Sequence, residues 1–351
     1  MRLGIIGGGQ LARMLALAAR PLGIDCVVVE PTEAPPATSV ASVIRAAFDD
    51  PVALSTLAST CDVVTVELEA VPISGLDWLS ERVVVRPSAA AVAVAADRLL
   101  EKQLFRSLGV TTAPFDEEVV DVPAIVKSRR GGFDGRGNRL VRTVDELAAA
   151  RVALPDPIVE GLVSFVREVS IVCARSTDGA LACWPVVENL HERGILRRTT
   201  ALDPDALTQA AAVSIARRVA ERLEYVGVLA IELFELADGS LVANEMAPRV
   251  HNSGHWTIEG AHTSQFEQHI RAVCGLPLGD PSLREPTVML NAVGRMPAAL
   301  PVLDVPGAHL HDYNKAPRPG RKVGHVSVTA STRELLDRRV TELVAHVPFE
   351  T

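Results

Sequence analysis

Fourteen residues constrain this chain more than any other stretch: Asn244-Glu245-Met246-Ala247-Pro248-Arg249-Val250-His251-Asn252-Ser253-Gly254-His255-Trp256-Thr257. They hold two histidines, an arginine, a carboxylate, two asparagines and two hydroxyl side chains. Neither a core strand nor a core helix accommodates that set, because each buried polar group needs a partner. Upstream, Ile231-Glu232-Leu233-Phe234 sets another carboxylate inside an apolar run. Strand alternation places Glu232 on the face of Ala230 and Phe234. Asp238-Gly239 reads as a turn, and Leu241-Val242-Ala243 returns the chain to Glu245. Such a hairpin sets Glu232 and Glu245 side by side. Paired carboxylates in an apolar setting repel unless a cation lies between them. Mg2+ takes hard oxygen ligands, often carboxylates, with substrate phosphates completing its shell. The first reading is a magnesium–nucleotide site. The plainer reading is a surface hairpin with two solvated glutamates, and the polar run after Glu245 weighs against it.

The other 337 of the 351 residues set the frame. A 48% hydrophobic chain of this length buries a sizeable core and predicts two or three domains. Its net charge of -8 argues against nucleic acid as a partner. Cys26, Cys61, Cys173, Cys183 and Cys274 are scattered, with no Cys-x-x-Cys and no His/Cys metal spacing. A reduced, cytoplasmic protein without structural zinc is expected. Met1-Arg2-Leu3-Gly4 has no signal layout, and no apolar run is long enough to cross a bilayer, so no membrane partner is expected.

The N-terminus reads as a βαβ unit. A strand at Leu3–Ile6 leads into Gly7-Gly8-Gly9-Gln10-Leu11-Ala12, a helix to Ala19, and a strand Asp25–Glu30. A glycine turn feeding a helix N-terminus offers N–H groups to an anion, so a phosphate is expected there. Gly7-x-Gly9-x-x-Ala12 with Glu30 fits a dinucleotide fingerprint as well. Cys61–Glu69 is a further strand with Glu67 and Glu69 at its carboxyl end, where one of them could touch substrate. A helix Ala95–Leu108 follows, with Arg98 near its start. Lys127 ends a strand before the loop Ser128–Asn138, which has four glycines in residues 131–137. Its cations Lys127, Arg129, Arg130 and Arg136 imply an anionic ligand approached by backbone. Ile158-Val159-Glu160-Gly161 could offer a carbonyl and an N–H to adenine. Glu168, inside the apolar strand Val166–Cys173, needs a partner such as a pair of ribose hydroxyls. His191 reads as a loop histidine. Near the C-terminus, Lys315-Ala316-Pro317-Arg318-Pro319-Gly320-Arg321-Lys322-Val323-Gly324-His325 gathers cations around a Pro-Gly turn and again suggests phosphate.

Together, Gly7–Met14, the loop Gly132-Phe133-Asp134-Gly135-Arg136-Gly137, the stretch Asn244–Thr257 and Arg318–His325 resemble the N5-carboxyaminoimidazole ribonucleotide synthase family. The resemblance runs in order from residue 3 to about 330. It implies an α/β protein with an ATP-grasp fold: a Rossmann-like pre-ATP-grasp domain with a parallel sheet over residues 1–92, an ATP-grasp domain over 93–287 with a small β-rich lid at about 115–175, and a small C-terminal domain over 288–351. It implies an ATP-dependent ligase of purine biosynthesis that carboxylates 5-aminoimidazole ribonucleotide, with ATP, Mg2+ (two ions) and bicarbonate, commonly as a homodimer.

The same resemblance distributes roles. Arg98, Lys127, Gly132, Phe133, Asp134, Gly135, Arg136, Gly137, Asn138, Glu160, Gly161, Leu162, Val163, Glu168, His191, Asn244 and Glu245 would hold ATP. The ribonucleotide would lie on Gln10, Leu11, Glu69, Asp134, Arg136, Arg249, His251, Asn252, Ser253 and His255, with its phosphate on Lys315, Arg321 and Lys322. Arg249, Arg136, Glu69 and His255 would be catalytic, and Glu232 with Glu245 would bind metal. Three positions depart from the family pattern. Phe133 replaces a tyrosine and loses its hydroxyl. Asn138 stands where glutamine is common. Ala247, two residues after Glu245, removes a third protein ligand that many ATP-grasp enzymes have. Competing readings are another ATP-grasp ligase, such as a formate-dependent glycinamide ribonucleotide transformylase or a biotin carboxylase, an NAD-dependent oxidoreductase argued from the glycine turn, and a catalytically silent nucleotide-binding regulator.

Overall fold

The computed structural model describes residues 1–116, 121–131 and 137–350. Its first sheet is parallel. It comprises β1 (Arg2–Ile6), β2 (Asp25–Val29), β3 (Ser42–Ile44), β4 (Val63–Val66) and β5 (Val84–Val85), in the order β3-β2-β1-β4-β5. β1, β2 and β4 are almost wholly buried and read as continuous apolar runs, as parallel strands covered on both faces do. A small antiparallel sheet comprises β6 (Phe115–Asp116), β7 (Ala124–Ser128), β8 (Asn138–Val141) and β9 (Pro157–Gly161).

The large sheet contains β10 (Arg167–Arg175), β11 (Leu181–Cys183), β12 (Val187–Glu192), β13 (Ile195–Ala201), β14 (Gly227–Glu235) and β15 (Leu241–Ala247). It continues without a break into β16 (Thr287–Gly294), β17 (Ala308–Asp312) and β18 (Arg318–Thr329), because β13 pairs with β16. The expected lid span of 115–175 therefore takes in β10, which pairs with β12 and β14 in the large sheet. Strand pairing also crosses position 288.

The expected helix Ala95–Leu108 forms over Arg98–Ser107, and a separate short helix, Ala89–Ala95, precedes it and stops before Asp97. The Asp97 carboxylate accepts hydrogen bonds from the N–H groups of Leu99 and Leu100, so it caps the second helix. The N-terminal domain is locked to the rest by an apolar cluster that includes Leu3, Leu15, Trp256 and Phe266. Beside it, His269 accepts a hydrogen bond from the Val228 N–H (3.0 Å) and bonds the Thr65 hydroxyl (2.9 Å).

Candidate active site

The Glu232–Glu245 hairpin forms as the alternation requires. β14 and β15 pair antiparallel with Glu232 opposite Glu245. The next pair is Leu233 with Ala243, so Asn244 is the extra residue of a β-bulge. The bulge re-aims Asn244: its carbonyl accepts from Lys102 Nζ (2.9 Å), and its side-chain oxygen lies 3.5 Å from Lys127 Nζ. Burial, together with the facing Glu245, pushes the Glu232 carboxyl up to about 7. Behind the pair, the buried Glu101 accepts a hydrogen bond from the Met246 N–H, and burial plus Glu245 raises its carboxyl to about 8. Glu168 is half-buried, and its partner is the His191 imidazole. Although burial opposes it, Glu168 and Glu232 hold the His191 pKa above its usual value.

Three of the four cations expected to face an anion are already paired. Lys127 Nζ lies 3.0 Å from Glu160, which also meets Lys102 Nζ at 3.1 Å. Burial would raise the Glu160 carboxyl, but the two lysines hold it below its usual range. One carboxylate oxygen, Oε1, keeps no partner among the described residues. Arg129 and Arg130 each donate to Asp97 at 2.6 Å. Arg98 donates to the carbonyls of Ser128 and Gly131, both at 2.6 Å, and so holds the base of the glycine loop. Gly137 is at φ +73°, and its carbonyl accepts from the Ser128 N–H; Asn138 pairs with Lys127 across β7 and β8 and is exposed. Gly132, Phe133, Asp134, Gly135 and Arg136 lie outside the described residues. Within Ile158–Gly161, the Gly161 N–H donates to the Pro114 carbonyl (2.8 Å). Leu162 is exposed and Val163 half-buried beyond it.

The glycine turn holds no open phosphate cradle. Glu67 accepts from the N–H groups of Gly9 and Ala12, and Glu30 accepts from Gly8 (2.9 Å) and Thr32. The chain's own carboxylates thus occupy the anion-seeking end of the first helix, Gln10–Ala19. The dinucleotide reading fails for the same reason, since Glu30 is engaged with the turn. Leu11 is buried, and the Gln10 side chain accepts from Lys315 Nζ at 3.1 Å. That bond spans 305 residues of sequence and brings the basic C-terminal loop to the first helix.

Glu69 and Arg249, expected separately around a substrate, form a bidentate ion pair at 2.6 and 3.0 Å. Burial opposes the Arg249 charge, and Glu69 holds it in place. His251 Nε2 lies 3.6 Å from Glu232 Oε1. Asn252 is buried, and neither end of its carboxamide has a partner among the described residues. Ser253 bonds His251 and Ser170. His255 bonds the Gln265 amide at 3.0 Å, and its ring lies 5.0 Å from that of His325. Burial holds the imidazoles of His251 and His255 well below their usual range, with Arg249 and Lys322 adding to the effect. Arg321 donates to the Ala316 carbonyl (3.2 Å), and Lys322 lies close enough to lower the Glu232 carboxyl.

The sequence reading missed Glu101 and Lys102. Both are almost fully buried, on the same helix face as Leu104 and Phe105. Projecting Arg98–Ser107 as a helix finds them, because two charges then fall on an apolar stripe.

Three family models match the chain in order: the Ribonucleotide synthetase preATP-grasp domain over residues 1–96, the ATP-grasp domain over 111–266, and the Phosphoribosylaminoimidazole carboxylase C-terminal domain over 287–339. The N5-carboxyaminoimidazole ribonucleotide synthase of Pseudomonas aeruginosa is 44% identical, covering 98% of this chain and 99% of its own. That of Brucella melitensis is 45% identical, over 93% and 95%. Among solved structures, the synthetase of Thermus thermophilus superposes with a TM-score of 0.93 at 45% identity, covering 98% of each chain. The Aspergillus clavatus enzyme, solved with ADP and 5-aminoimidazole ribonucleotide, gives a TM-score of 0.89 at 31% identity, covering 98% of this chain and 97% of its own.

Proposed function

The chain belongs to the N5-carboxyaminoimidazole ribonucleotide synthase family of ATP-grasp ligases, and on that premise we propose how its own residues divide the work. The enzyme uses ATP to carboxylate 5-aminoimidazole ribonucleotide to the N5-carboxyamino product in purine biosynthesis. Bicarbonate is the proposed carbon source. A bicarbonate oxygen attacks the γ-phosphorus and ADP leaves. The exocyclic amine then attacks the carboxyphosphate carbon, phosphate leaves, and the amine loses a proton. Each step needs positioning and charge neutralisation more than covalent help.

The observation that carries this reading is the half-buried cross-strand pair Glu232–Glu245, with His191, Glu168 and the Arg249–Glu69 pair around it. Two carboxylates facing each other across the hairpin, with the Glu232 carboxyl raised by burial and by Glu245, fit a divalent cation, which would neutralise both. Glu232 and Glu245 would hold Mg2+, and the ion would supply charge neutralisation at the transferred phosphoryl group. Lys127, Asn244 and Glu160, with Gly161, Leu162 and Val163, would line the nucleotide, and Arg98 would fix the loop that covers it. Glu168 and His191 would meet the ribose. Arg249, held flat by Glu69, would face the bicarbonate-derived group beside His251. Asn252, with both polar ends open, would read the aminoimidazole, and Lys315, Arg321 and Lys322 would take the ribonucleotide phosphate beside Gln10 and Leu11. Domain limits after residues 92 and 287 belong to the same proposal. So do a cytoplasmic location, supported by five free cysteines, and homodimeric assembly. Among the described residues, no helix is long and apolar enough to cross a membrane.

Metal binding should depend on pH. Without metal, Glu232 is protonated below about 7, and Mg2+ competes for its ionised form. Affinity is expected to rise as pH increases towards 7 and to level off above it, with proton release on binding. Calorimetry in buffers of different ionisation enthalpy measures both. Affinity that is flat from pH 6 to 8 would remove Glu232 from the metal site. Lys315→Ala is expected to raise the KM for the ribonucleotide about tenfold with the KM for ATP unchanged, since it removes one charged phosphate contact. Equal shifts in both constants would break the phosphate assignment.

A further inference from the structure

His251 sits at the end of a hydrogen-bonded row that crosses the large sheet from its far side. The Thr199 hydroxyl on β13 meets Asn189 Oδ1 on β12 at 2.9 Å. Asn189 Nδ2 donates to the Ser170 hydroxyl on β10 at 2.9 Å. Ser170 Oγ lies 2.8 Å from Ser253 Oγ, which lies 2.9 Å from His251 Nδ1. Thr199, Ser170 and Ser253 are fully buried, and Asn189 is 5% exposed. Sheet register builds the row. Thr199 is opposite Asn189, and Ser170 is opposite Glu232, the carboxylate that the His251 ring faces.

A chain of hydroxyls and one carboxamide can run in either direction, because each hydroxyl both donates and accepts and the amide can turn over. Run one way, Ser253 donates to His251 Nδ1, and the ring proton is on Nε2. Run the other way, Nδ1 carries the proton and donates to Ser253. One further contact decides between them. The backbone N–H of Ser253 also points at His251 Nδ1, at 3.3 Å. A backbone N–H can only donate, so Nδ1 must accept.

We infer that Ser253, through its N–H and its hydroxyl, holds His251 Nδ1 as an acceptor and leaves the ring proton on Nε2, with Thr199, Asn189 and Ser170 orienting that hydroxyl. The site then receives an N–H from His251, aimed past Glu232, and no lone pair. Resting on the reaction proposed above, this makes His251 a hydrogen-bond donor to an anionic oxygen of the bicarbonate-derived group and rules it out as the base for the amine. Asn189, Ser170 and Thr199 are positioning residues that touch no reactant and act through the imidazole.

The test begins with the ligand-free enzyme, labelled with 15N-histidine, in a two-bond 1H–15N correlation experiment. The His251 signal is assigned by its loss in His251→Phe. A pyridine-like Nδ1 with a pyrrole-like Nε2 is expected. A protonated Nδ1, alone or with Nε2, would overturn the inference whatever the enzyme's substrate proves to be. Asn189→Asp keeps the shape but makes both side-chain ends acceptors, which reverses the row. The Ser253 hydroxyl is expected to turn from His251 Nδ1 to Ser170, so the Nδ1 signal moves towards that of a pyridine-like nitrogen with one hydrogen bond fewer, with kcat down about tenfold or more and the KM for ATP unchanged. Ser253→Ala, which removes the hydroxyl donor to Nδ1 without adding a charge, should move the His251 Nδ1 signal the same way, and it decides the matter if the aspartate variant fails to fold. Unchanged nitrogen shifts and unchanged kcat in a folded variant would show that the Ser253 hydroxyl and the row behind it do not act on Nδ1. Loss of the ribonucleotide-dependent reaction in the wild type, with the Nε2–H tautomer intact, would instead count against the reaction and leave the tautomer assignment standing.

Discussion

Glu245→Gln is expected to lower turnover about a thousandfold while leaving the fold intact, because it removes one of two charges that would neutralise the cation at the transferred phosphoryl group. The substitution keeps the shape of the side chain. It also relieves a repulsion, since Glu245 is a cause of the raised carboxyls at both Glu232 and Glu101. Thermal stability of the ligand-free variant should therefore match or exceed that of the wild type while activity collapses. Steady-state ADP release and a melting curve on one preparation separate the two effects. A near-normal rate would take the metal role away from the hairpin.

Glu160→Ala should have the largest effect on stability. Glu160 is the only acidic side chain paired with either buried lysine among the described residues, and Lys102 is 1% exposed. Removing one partner of a buried ion network leaves charge that solvent cannot reach, which costs about 3–5 kcal/mol. A lower urea midpoint with an unchanged slope would register the loss. A stability loss below about 1 kcal/mol, the range of exposed pairs, would mean that water reaches Lys102 and Lys127 in solution. The variant should also bind ATP weakly, because Lys127 and Asn244 are placed through the same cluster.

Much of this is legible in the sequence. The hairpin follows from alternation and a turn dipeptide, and the density of polar groups in Asn244–Thr257 marks a site because no core tolerates it. The parallel first sheet follows from apolar strands separated by helical spacing. What stayed hidden has one physical cause: a sequence shows which groups are charged, not which of them are already spent on each other. The glycine turn reads as a phosphate cradle because Gly7–Ala12 carries the right N–H groups. Glu67 and Glu30, far along the chain, fill it instead. Arg129 and Arg130 read as ligand-facing cations until Asp97 is seen between them. The Thr199–Asn189–Ser170–Ser253 row is invisible because each member is an ordinary strand or loop residue. Only the register of three strands brings the row to His251.

The measurement closest to the central claim is ADP release with Mg-ATP and bicarbonate, made with and without 5-aminoimidazole ribonucleotide. The account predicts strong stimulation by the ribonucleotide that vanishes when bicarbonate is removed. Equal ADP release with and without the ribonucleotide, or stimulation that survives without bicarbonate, would contradict it.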